Sequence, residues 1–198
     1  MKYKNQNITL LILDIDETLI HSTVDELDRK ADFTIYRYHV YKRPFLEEFL
    51  DQVKDDFLLA VWSSASDDYV EEIVKRIIPE EIKLEFVWGR SRCTYQRNFQ
   101  LQESRFYSTN PSNHYHYVKI LKKLKRKGYQ LERILIVDDT PHKAKYNYGN
   151  AIYPKAYLGE EQDEELLLLA KYLITLKDKP NIRNIEKRNW HGTKLQKF

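Results

Sequence analysis

The chain has 198 residues, of which 42% are hydrophobic, and this length suits one compact domain with a sizeable core. Its 33 Lys and Arg residues against 30 Asp and Glu residues leave a formal net charge of only +3, a weak argument for nucleic acid or an anionic membrane as partner. No apolar stretch reaches the roughly 20 residues that a membrane span needs, and acidic residues follow the first apolar run too soon for a secretory signal. The single cysteine, Cys93, excludes an internal disulfide and a cysteine-rich metal cluster. We therefore expect an intracellular protein, cytoplasmic or, in a eukaryote, nuclear.

The first part of the chain alternates strand and helix patterns. Ile8–Ile15 is a continuous apolar run, typical of a strand buried on both faces of a parallel sheet. Phe33–Lys42 is rich in β-branched and aromatic residues and predicts a small extended hairpin. Pro44 opens a helix. The apolar stripe of that helix consists of Phe45, Leu46, Phe49, Leu50 and Val53. The strand Phe57–Trp62 follows.

The alternation of strand and helix patterns continues to Trp88 and is absent from the segment that follows. Helical spacing runs from Ser66, a plausible N-cap, to Ile78, and Pro79 ends the helix. Leu84–Trp88 predicts a further short strand. Residues 89–113 are polar and aromatic without a clear period, so we interpret them as an insertion with some short strands.

The last part of the chain completes an α/β pattern. We predict a helix over His114–Lys127 that ends at Gly128, a second buried strand over Leu131–Val137, a short strand near Ala151 and a helix over Gln162–Leu176. The alternation implies right-handed crossovers and an open, doubly wound, mostly parallel sheet. We expect one domain over residues 1–180 and a C-terminal tail over residues 181–198, whose basic and aromatic residues would dock the domain or a partner.

Two buried strands that lie far apart in the sequence both end on paired acidic residues. The run LLILDIDET contains Asp14 and Asp16, and ILIVDDT contains Asp138 and Asp139. Because ligands bind beyond the carboxyl ends of parallel strands, we expect these carboxyl groups to lie close together there. They would repel one another unless some are protonated or a cation lies among them, and an all-oxygen cluster suits Mg²⁺. Alternation along the extended chain puts the side chains of Asp14 and Asp16 on the same side, where they can take different roles.

These residues and their neighbours resemble the motifs of the haloacid dehalogenase superfamily. The run DIDETLIHS over Asp14–Ser22 is similar to the first motif of its small phosphatases that act on the C-terminal domain of RNA polymerase II, the NLI-interacting-factor-like branch. Further matches follow in the same order as in that branch and span about residues 8–175. They are Lys42-Arg43-Pro44, Val61–Ser66 with Tyr69, Tyr117-Val118-Lys119, and Leu135–Pro141.

The resemblance implies a magnesium-dependent phosphatase with an α/β fold and an aspartyl-phosphate intermediate. Asp14 would attack phosphorus and become transiently phosphorylated. Asp16 would protonate the leaving oxygen and then activate the water that hydrolyses the intermediate. Thr18 would support the loop around Asp16.

The resemblance also implies residues that bind phosphate and metal. Ser63, in place of the usual threonine, and Lys119 would bind the nonbridging phosphate oxygens. Four acidic residues would supply oxygens to Mg²⁺: Asp14, Asp16 through its backbone carbonyl, Asp138, and Asp139 directly or through water.

Ordinary structural explanations exist beside these roles. A strand-end aspartate often caps the next turn, but the matched second acid pair argues against that here. Lys119 lies in KILKKLKRK, where most lysines solvate a helix face. Ser64 and Ser66 are alternatives to Ser63, and Ser66 suits a helix cap. The basic run Lys122–Lys127 is better explained as a solvated face than as a nucleic-acid contact.

The chain leaves no room for a separate cap domain over the site. Thr18–Arg43 is filled by a loop and the hairpin, and the insertion at 89–113 is too short for a core of its own. An open site favours a phosphate carried by a large substrate, such as phosphoserine or phosphothreonine of a protein segment. Six aromatic residues would either line a wall against a peptide or base or pack the insertion: Tyr95, Phe99, Phe106, Tyr107, Tyr115 and Tyr117.

Two other functions stay open. The chain would remove terminal phosphates from nucleic acid if Lys119–Lys127 and the insertion formed one positive groove. Alternatively it is a non-catalytic module that binds phosphoproteins, although the intact set of acidic residues and Lys119 argues against this. We expect no membrane partner.

Overall fold

The structure, a computed structural model, describes residues 8–97 and 115–192. In chain order its regular elements are β1 (Thr9–Leu13), β2 (Ile20–Thr23), β3 (Phe33–Ile35), β4 (Tyr38–Lys42), α1 (Leu46–Val53), β5 (Phe57–Trp62), α2 (Asp67–Ile77), β6 (Leu84–Trp88), β7 (Thr94–Arg97), β8 (Tyr115–Val118), β9 (Ile134–Val137), β10 (Ala151–Ile152) and α3 (Glu165–Ile174). Short 3₁₀ segments lie at Arg90–Arg92, Leu121–Lys127, Leu131–Arg133, Pro141–Asn147, Ile182–Asn184 and Trp190–Gly192. Among residues 8–97 and 115–192, none of the helices has the length and hydrophobicity of a membrane span.

A five-stranded parallel sheet with the order β10-β9-β1-β5-β6 forms the centre of the molecule. Alternate residues of β1 point to opposite faces. Leu11 and Leu13 pack with the helices α1, α2 and α3, whereas Leu10 and Ile12 pack under the 3₁₀ segments at 121–127 and 141–147. All five residues of β1 are buried, which confirms the prediction of an α/β fold around a strand covered on both faces.

Two small antiparallel sheets lie outside the central sheet. The predicted hairpin is present as β3 and β4, and β2 adds to it, giving the order β2-β4-β3. The second small sheet consists of β7 and β8, which flank the part of the insertion that lies outside the described residues.

The predicted helix over His114–Lys127 is wrong in its first half. Tyr115–Val118 is the strand β8, paired with β7, and only Leu121–Lys127 is helical, as a 3₁₀ segment. Aromatic and β-branched side chains favour a strand where a partner strand is available, and β7 supplies that partner. Gly128 ends the 3₁₀ segment with φ of 90°, a left-handed conformation that glycine adopts at low cost.

Other predicted elements are present with shifted limits. The helix predicted from Pro44 begins at Leu46 because Phe45 has φ of 63°, and Phe45 is exposed rather than part of the buried stripe. Ser66 holds the N-cap position of α2, but its side chain makes no capping hydrogen bond. Leu131–Arg133 is a 3₁₀ turn, and the strand begins at Ile134.

The segment after α3 packs back onto the domain as far as residue 192. Ile182 and Trp190 are buried, and the Trp190 ring stacks on Tyr172 with the ring centres 5.7 Å apart. Its indole N–H donates to the carbonyl of Tyr153 at 3.0 Å. This packing covers β10, the edge strand that follows the second acidic pair.

Candidate active site

The two acidic pairs lie side by side because β1 and β9 are adjacent parallel strands in register, with Leu13 opposite Val137. The N–H of Asp14 donates to the carbonyl of Val137 at 2.9 Å, and the N–H of Asp138 donates to the carbonyl of Ile152 at 3.2 Å. Both aspartates are fully buried. The sheet therefore brings together the residues that the strand-end pattern predicts.

Lys119 bridges the two buried aspartates. Its ammonium nitrogen lies 2.7 Å from Oδ1 of Asp14 and 2.7 Å from Oδ2 of Asp138, and the side chain is fully buried. Burial lowers the pKa of Lys119, but attraction to Asp138 and Asp14 outweighs it and holds the pKa above its ordinary value. The side chain of Asn147 fixes the backbone here: its amide donates to the carbonyl of Lys119, and its oxygen accepts from the N–H of Leu121 at 3.1 Å.

A second lysine, Lys143, reaches the same centre and was not identified from the sequence. Its ammonium lies 3.5 Å from Oδ2 of Asp14, and its carbonyl accepts a hydrogen bond from the N–H of Lys119 at 2.8 Å. Burial raises the pKa of Asp14, but the charges of Lys119 and Lys143 outweigh burial and leave that pKa below its ordinary value. Asp14 is therefore ionised at neutral pH.

Asp16 occupies a different environment from Asp14. Its Oδ1 lies 2.8 Å from the Tyr69 hydroxyl and accepts a hydrogen bond from Ser22 at 3.2 Å, and its Oδ2 accepts from Ser63 at 3.3 Å. Burial and the charge of Asp14 raise its pKa. Two neighbouring carboxyl groups thus have pKa values displaced in opposite directions, which is typical of a nucleophile paired with a general acid.

The loop between β1 and β2 connects the first acidic pair to the second. Glu17 has φ of 58°, and its N–H donates to the carbonyl of Ile20 at 2.8 Å, which closes a tight turn. Thr18, fully buried, accepts a hydrogen bond from the N–H of Asp139 at 3.2 Å. Burial, followed by the charges of Asp16 and Asp139, raises the pKa of Glu17 to about 7.

Ser63 lies at the end of β5, in a loop that its own hydroxyl stabilises. Its Oγ accepts from the N–H of Ala65 at 3.0 Å, and its N–H donates to the carbonyl of Trp88 at 2.9 Å. Arg90 contacts the same loop, since its Nε donates to the carbonyl of Ser64 at 2.9 Å. The hydroxyl of Ser63 donates to Asp16, whereas the ammonium of Lys119 contacts Asp14.

Three carboxylates fit a divalent cation. Asp14, Asp138 and Asp139 each offer one oxygen, and these oxygens lie within 4.8 Å of one another. Among the described residues, Oδ1 of Asp139 is buried and accepts no hydrogen bond. A hard cation with oxygen ligands such as Mg²⁺ would satisfy this atom and offset the repulsion among the three carboxylates. The carboxylate of Asp16 is not part of this group of described residues, and contact of its backbone carbonyl with a cation stays a prediction.

The predicted aromatic wall is described only in part. The rings of Tyr95 and Tyr117 pack with centres 5.1 Å apart, and the guanidinium of Arg90 lies 5.2 Å from the centre of the Tyr117 ring. Phe99, Phe106, Tyr107 and the side chain of Tyr115 lie outside the described residues.

Comparison with known proteins identifies the family. Residues 9–183 match the NLI interacting factor-like phosphatases. The chain belongs to this family. The matched range includes every predicted site residue and ends before the segment that contains Trp190.

Curated relatives are similar to the chain at low identity over most of its length. A CTD small phosphatase-like protein 2 from Dictyostelium discoideum is 27% identical over 87% of this chain and 28% of its own length. A probable C-terminal domain small phosphatase from the same organism is 28% identical over 94% of this chain and 57% of its own length. A CTD nuclear envelope phosphatase 1 homolog from Drosophila melanogaster is 27% identical over 93% of this chain and 74% of its own length. The chain therefore spans between about a quarter and three quarters of the length of these relatives.

A solved structure shares the fold. The structure of Fcp1, an essential RNA polymerase II CTD phosphatase, superposes with a TM-score of 0.62 over 88% of this chain and 63% of that chain, at 16% identity. At this identity the likeness supports the α/β architecture, a central parallel sheet with helices, and no finer statement.

Proposed function

We propose that the chain is a magnesium-dependent phosphomonoester hydrolase that acts through an aspartyl-phosphate on phosphoserine or phosphothreonine of proteins. The observation that supports this most is the contrast between two adjacent carboxyl groups. Asp14 lies against two ammonium groups, at 2.7 and 3.5 Å, and has a lowered pKa, while Asp16 has a raised pKa. The first suits a nucleophile that is ionised at neutral pH, and the second suits a proton donor.

In the first half-reaction a carboxylate oxygen of Asp14 bonds to phosphorus as the ester oxygen leaves. Asp16 donates its proton to that leaving oxygen, so that an alcohol is released. Lys119, Lys143 and the Ser63 hydroxyl bind the nonbridging oxygens and offset the negative charge that Asp14 and the phosphoryl group bring together.

In the second half-reaction water attacks the phosphorus of the intermediate. Asp16, now ionised, accepts a proton from that water, the bond between phosphorus and the Asp14 oxygen breaks, and phosphate leaves. Mg²⁺, held by Asp14, Asp138, Asp139 and the carbonyl of Asp16, would supply charge stabilisation to the phosphoryl oxygens when bound. Thr18 would keep Asp139 in place through its hydrogen bond to the Asp139 N–H.

Hydrolysis of an aryl phosphate tests this proposal. We expect turnover that requires Mg²⁺, stops with chelator, and falls by several orders of magnitude in Asp14→Asn at matched folding by circular dichroism. Acid quenching of the native protein during turnover should trap a phosphoryl group on Asp14, detected by mass spectrometry of the peptide that contains it. Metal-independent turnover, or turnover retained in Asp14→Asn, would refute the mechanism.

The two alternative functions make different predictions in the same assays. A binding module would show no turnover with any phosphomonoester. A nucleic-acid end phosphatase would hydrolyse terminally phosphorylated oligonucleotides faster than phosphopeptides, with a rate that falls steeply as salt is added. The names of the relatives, which describe CTD phosphatases, favour a protein substrate.

A further inference from the structure

A row of exposed cations runs beside the active-site edge of the sheet. We define the basic ridge as Arg92, Lys123 and Lys127, all three exposed. The ammonium of Lys123 donates to the carbonyl of Arg92 at 2.8 Å. The guanidinium of Arg92 and the ammonium of Lys127 each lie 5.5 Å from the centre of the Trp88 ring, which places these two charges within about 11 Å of each other. The ridge is therefore one surface, although its residues come from two segments of the chain.

Backbone hydrogen bonds join residues 88–90, which precede Arg92 of the ridge, to the loop that carries Ser63. The carbonyl of Trp88 accepts from the N–H of Ser63 at 2.9 Å, and the N–H of Arg90 donates to the carbonyl of Ala65 at 2.8 Å. Neighbouring strands of a sheet lie about 4.8 Å apart, so β6, whose Trp88 lies under the ridge, is one strand away from β5, which leads to Ser63. A peptide that presents its phosphate there can continue directly onto the ridge.

The ridge has no acidic partner within the described part of the chain. None of its three side chains forms an ion pair with a carboxylate there, and Asp67, which contacts the adjacent turn, accepts a hydrogen bond from Ser91 instead. Elsewhere, several surface cations are paired with acids: Lys42, Lys54, Lys75, Lys177 and Arg188. In a chain with a net charge of only +3, three cations without carboxylate partners on one surface concentrate positive charge beside the site.

The surroundings of the ridge favour an acidic peptide over nucleic acid. Single-stranded nucleic acid is held by aromatic rings on which bases stack. Trp88, the aromatic residue under the ridge, is only 8% exposed and packs against Phe86 and Trp62, with ring centres 4.2 and 5.0 Å away. The exposed groups of the three ridge residues are thus charges, which attract anions, whereas the exposed ring of Tyr95 on β7 packs with Tyr117.

We propose that the basic ridge selects substrates with a second anionic group, either acidic residues or another phosphate, on one side of the phosphorylated residue. This inference rests on the proposed phosphatase function and adds a substrate class to it. Because an extended chain advances about 3.3–3.6 Å per residue, about three consecutive residues span even the upper limit of about 11 Å between the charges of Arg92 and Lys127. A run of acidic residues therefore fits the ridge better than a single one.

Phosphopeptide hydrolysis tests the ridge against a matched control. The peptides carry one phosphoserine with neutral flanks, with glutamates on the N-terminal or C-terminal side, or with a second phosphoserine. The test variant is Arg92→Glu/Lys123→Glu/Lys127→Glu, with Arg90 unchanged because it contacts the Ser63 loop. The control variant, Lys83→Glu/Lys171→Glu/Lys179→Glu, makes the same change in charge at exposed positions away from the site.

We expect the native chain to prefer a peptide with an anionic flank, and the test variant to lose roughly tenfold in kcat/KM for it, chiefly through KM. The loss should shrink at high salt, because screening weakens exposed charge pairs. Activity on the neutral peptide and on an aryl phosphate should not change, and the control variant should behave as the native chain does. The glutamate and second-phosphate peptides show which source of negative charge the ridge prefers.

Three results would overturn the proposal: equal activity of the native chain on neutral and anionic peptides, equal loss in both variants, or faster hydrolysis of a terminally phosphorylated oligonucleotide that depends on the ridge. If no phosphomonoester is hydrolysed, the proposed phosphatase function fails by itself. In that case, binding of the same peptides is measured by fluorescence anisotropy. Binding that requires the anionic flank and is lost in the test variant supports the proposed role of the ridge, whereas binding that is the same with and without the flank refutes it.

Discussion

The Tyr69 hydroxyl should control the protonation of Asp16, and Tyr69→Phe tests this. Tyr69 is 7% exposed, and its oxygen lies 2.8 Å from Oδ1 of Asp16 and 2.7 Å from the Ser22 hydroxyl. A hydrogen bond to a charged group contributes about 1.5–3 kcal/mol. The hydroxyls of Ser22 and Ser63 remain at 3.2 and 3.3 Å from Asp16 and compensate in part, so we expect a net loss of about 1.4 kcal/mol for the ionised form.

That loss corresponds to a rise of about one unit in the pKa of Asp16, which burial and the charge of Asp14 already raise. A higher pKa keeps Asp16 protonated to higher pH. The alkaline limb of kcat/KM against pH should therefore move to higher pH by about one unit. The second half-reaction needs ionised Asp16, so it should slow at neutral pH, and phosphorylated Asp14 should accumulate.

The assay is steady-state hydrolysis across pH of two aryl phosphates, one with a good and one with a poor leaving group. The shift of the alkaline limb should be clearest for the substrate with the poor leaving group, because departure of that group depends on protonation by Asp16. Tyr38→Phe is the control, because the Tyr38 ring packs edge-on against Tyr69 with centres 6.0 Å apart and no hydrogen bond to Asp16. An alkaline limb that stays in place, or that moves to lower pH, would refute this role of Tyr69.

Three further changes test other parts of the structure. Lys143→Met removes the ammonium 3.5 Å from Asp14 and should lower kcat/KM for an aryl phosphate by about 10–100-fold, with Lys143→Arg retaining more activity. Arg43→Ala breaks the buried pair with Asp163, whose two contacts are both 2.8 Å, and should cost about 3–5 kcal/mol in urea unfolding. Lys187 has a pKa lowered to about 8 by burial, so the folded state binds fewer protons than the unfolded state between pH 8 and its ordinary value of 10.5. Stability should rise with pH across that window, and the thermal midpoint of Lys187→Met should lack this rise.

Each of these predictions has an outcome that contradicts it. Unchanged kinetics in Lys143→Met would mean that its charge does not act on Asp14 during turnover. A cost below about 1 kcal/mol for Arg43→Ala would place the pair among exposed ion pairs in strength. The opposite result for Lys187 would be a thermal midpoint that falls as the pH rises from 8 to 10 in the native chain but not in Lys187→Met. That result would show that the folded state favours charged Lys187, whose ammonium donates to the carbonyls of Ile182 and Ile185 at 2.7 and 2.6 Å.

Local sequence pattern predicts the buried strands and the helices beside them, because each depends on residues within a few positions. β1 and β9 are continuous apolar runs since both faces of the central sheet are covered, and β5 has the predicted limits, Phe57–Trp62. The acidic residues that follow β1 and β9 are conspicuous for the same reason: charged groups at the ends of buried strands are costly without partners.

Some features of the fold depend on contacts between segments that are distant in the sequence, and local pattern does not predict them. Tyr115–Val118 forms a strand because β7 pairs with it, and a helical pattern read from the following lysines gives no indication of that partner. Arg92 and Lys127 are far apart in the chain, and they share one surface only because both lie over Trp88.

Lys143 is the clearest example of a site residue that local sequence pattern does not predict. In the sequence it is one lysine of HKAK after the second acidic pair, with no spacing that relates it to Asp14. The α/β fold and the two pairs of carboxyl groups at the edge of its sheet follow from sequence pattern, because strand burial and strand ends are local properties. Which cations face those carboxyl groups depends on the folded chain, because the 3₁₀ segment at 141–147 must fold over the sheet before Lys143 comes within 3.5 Å of Asp14.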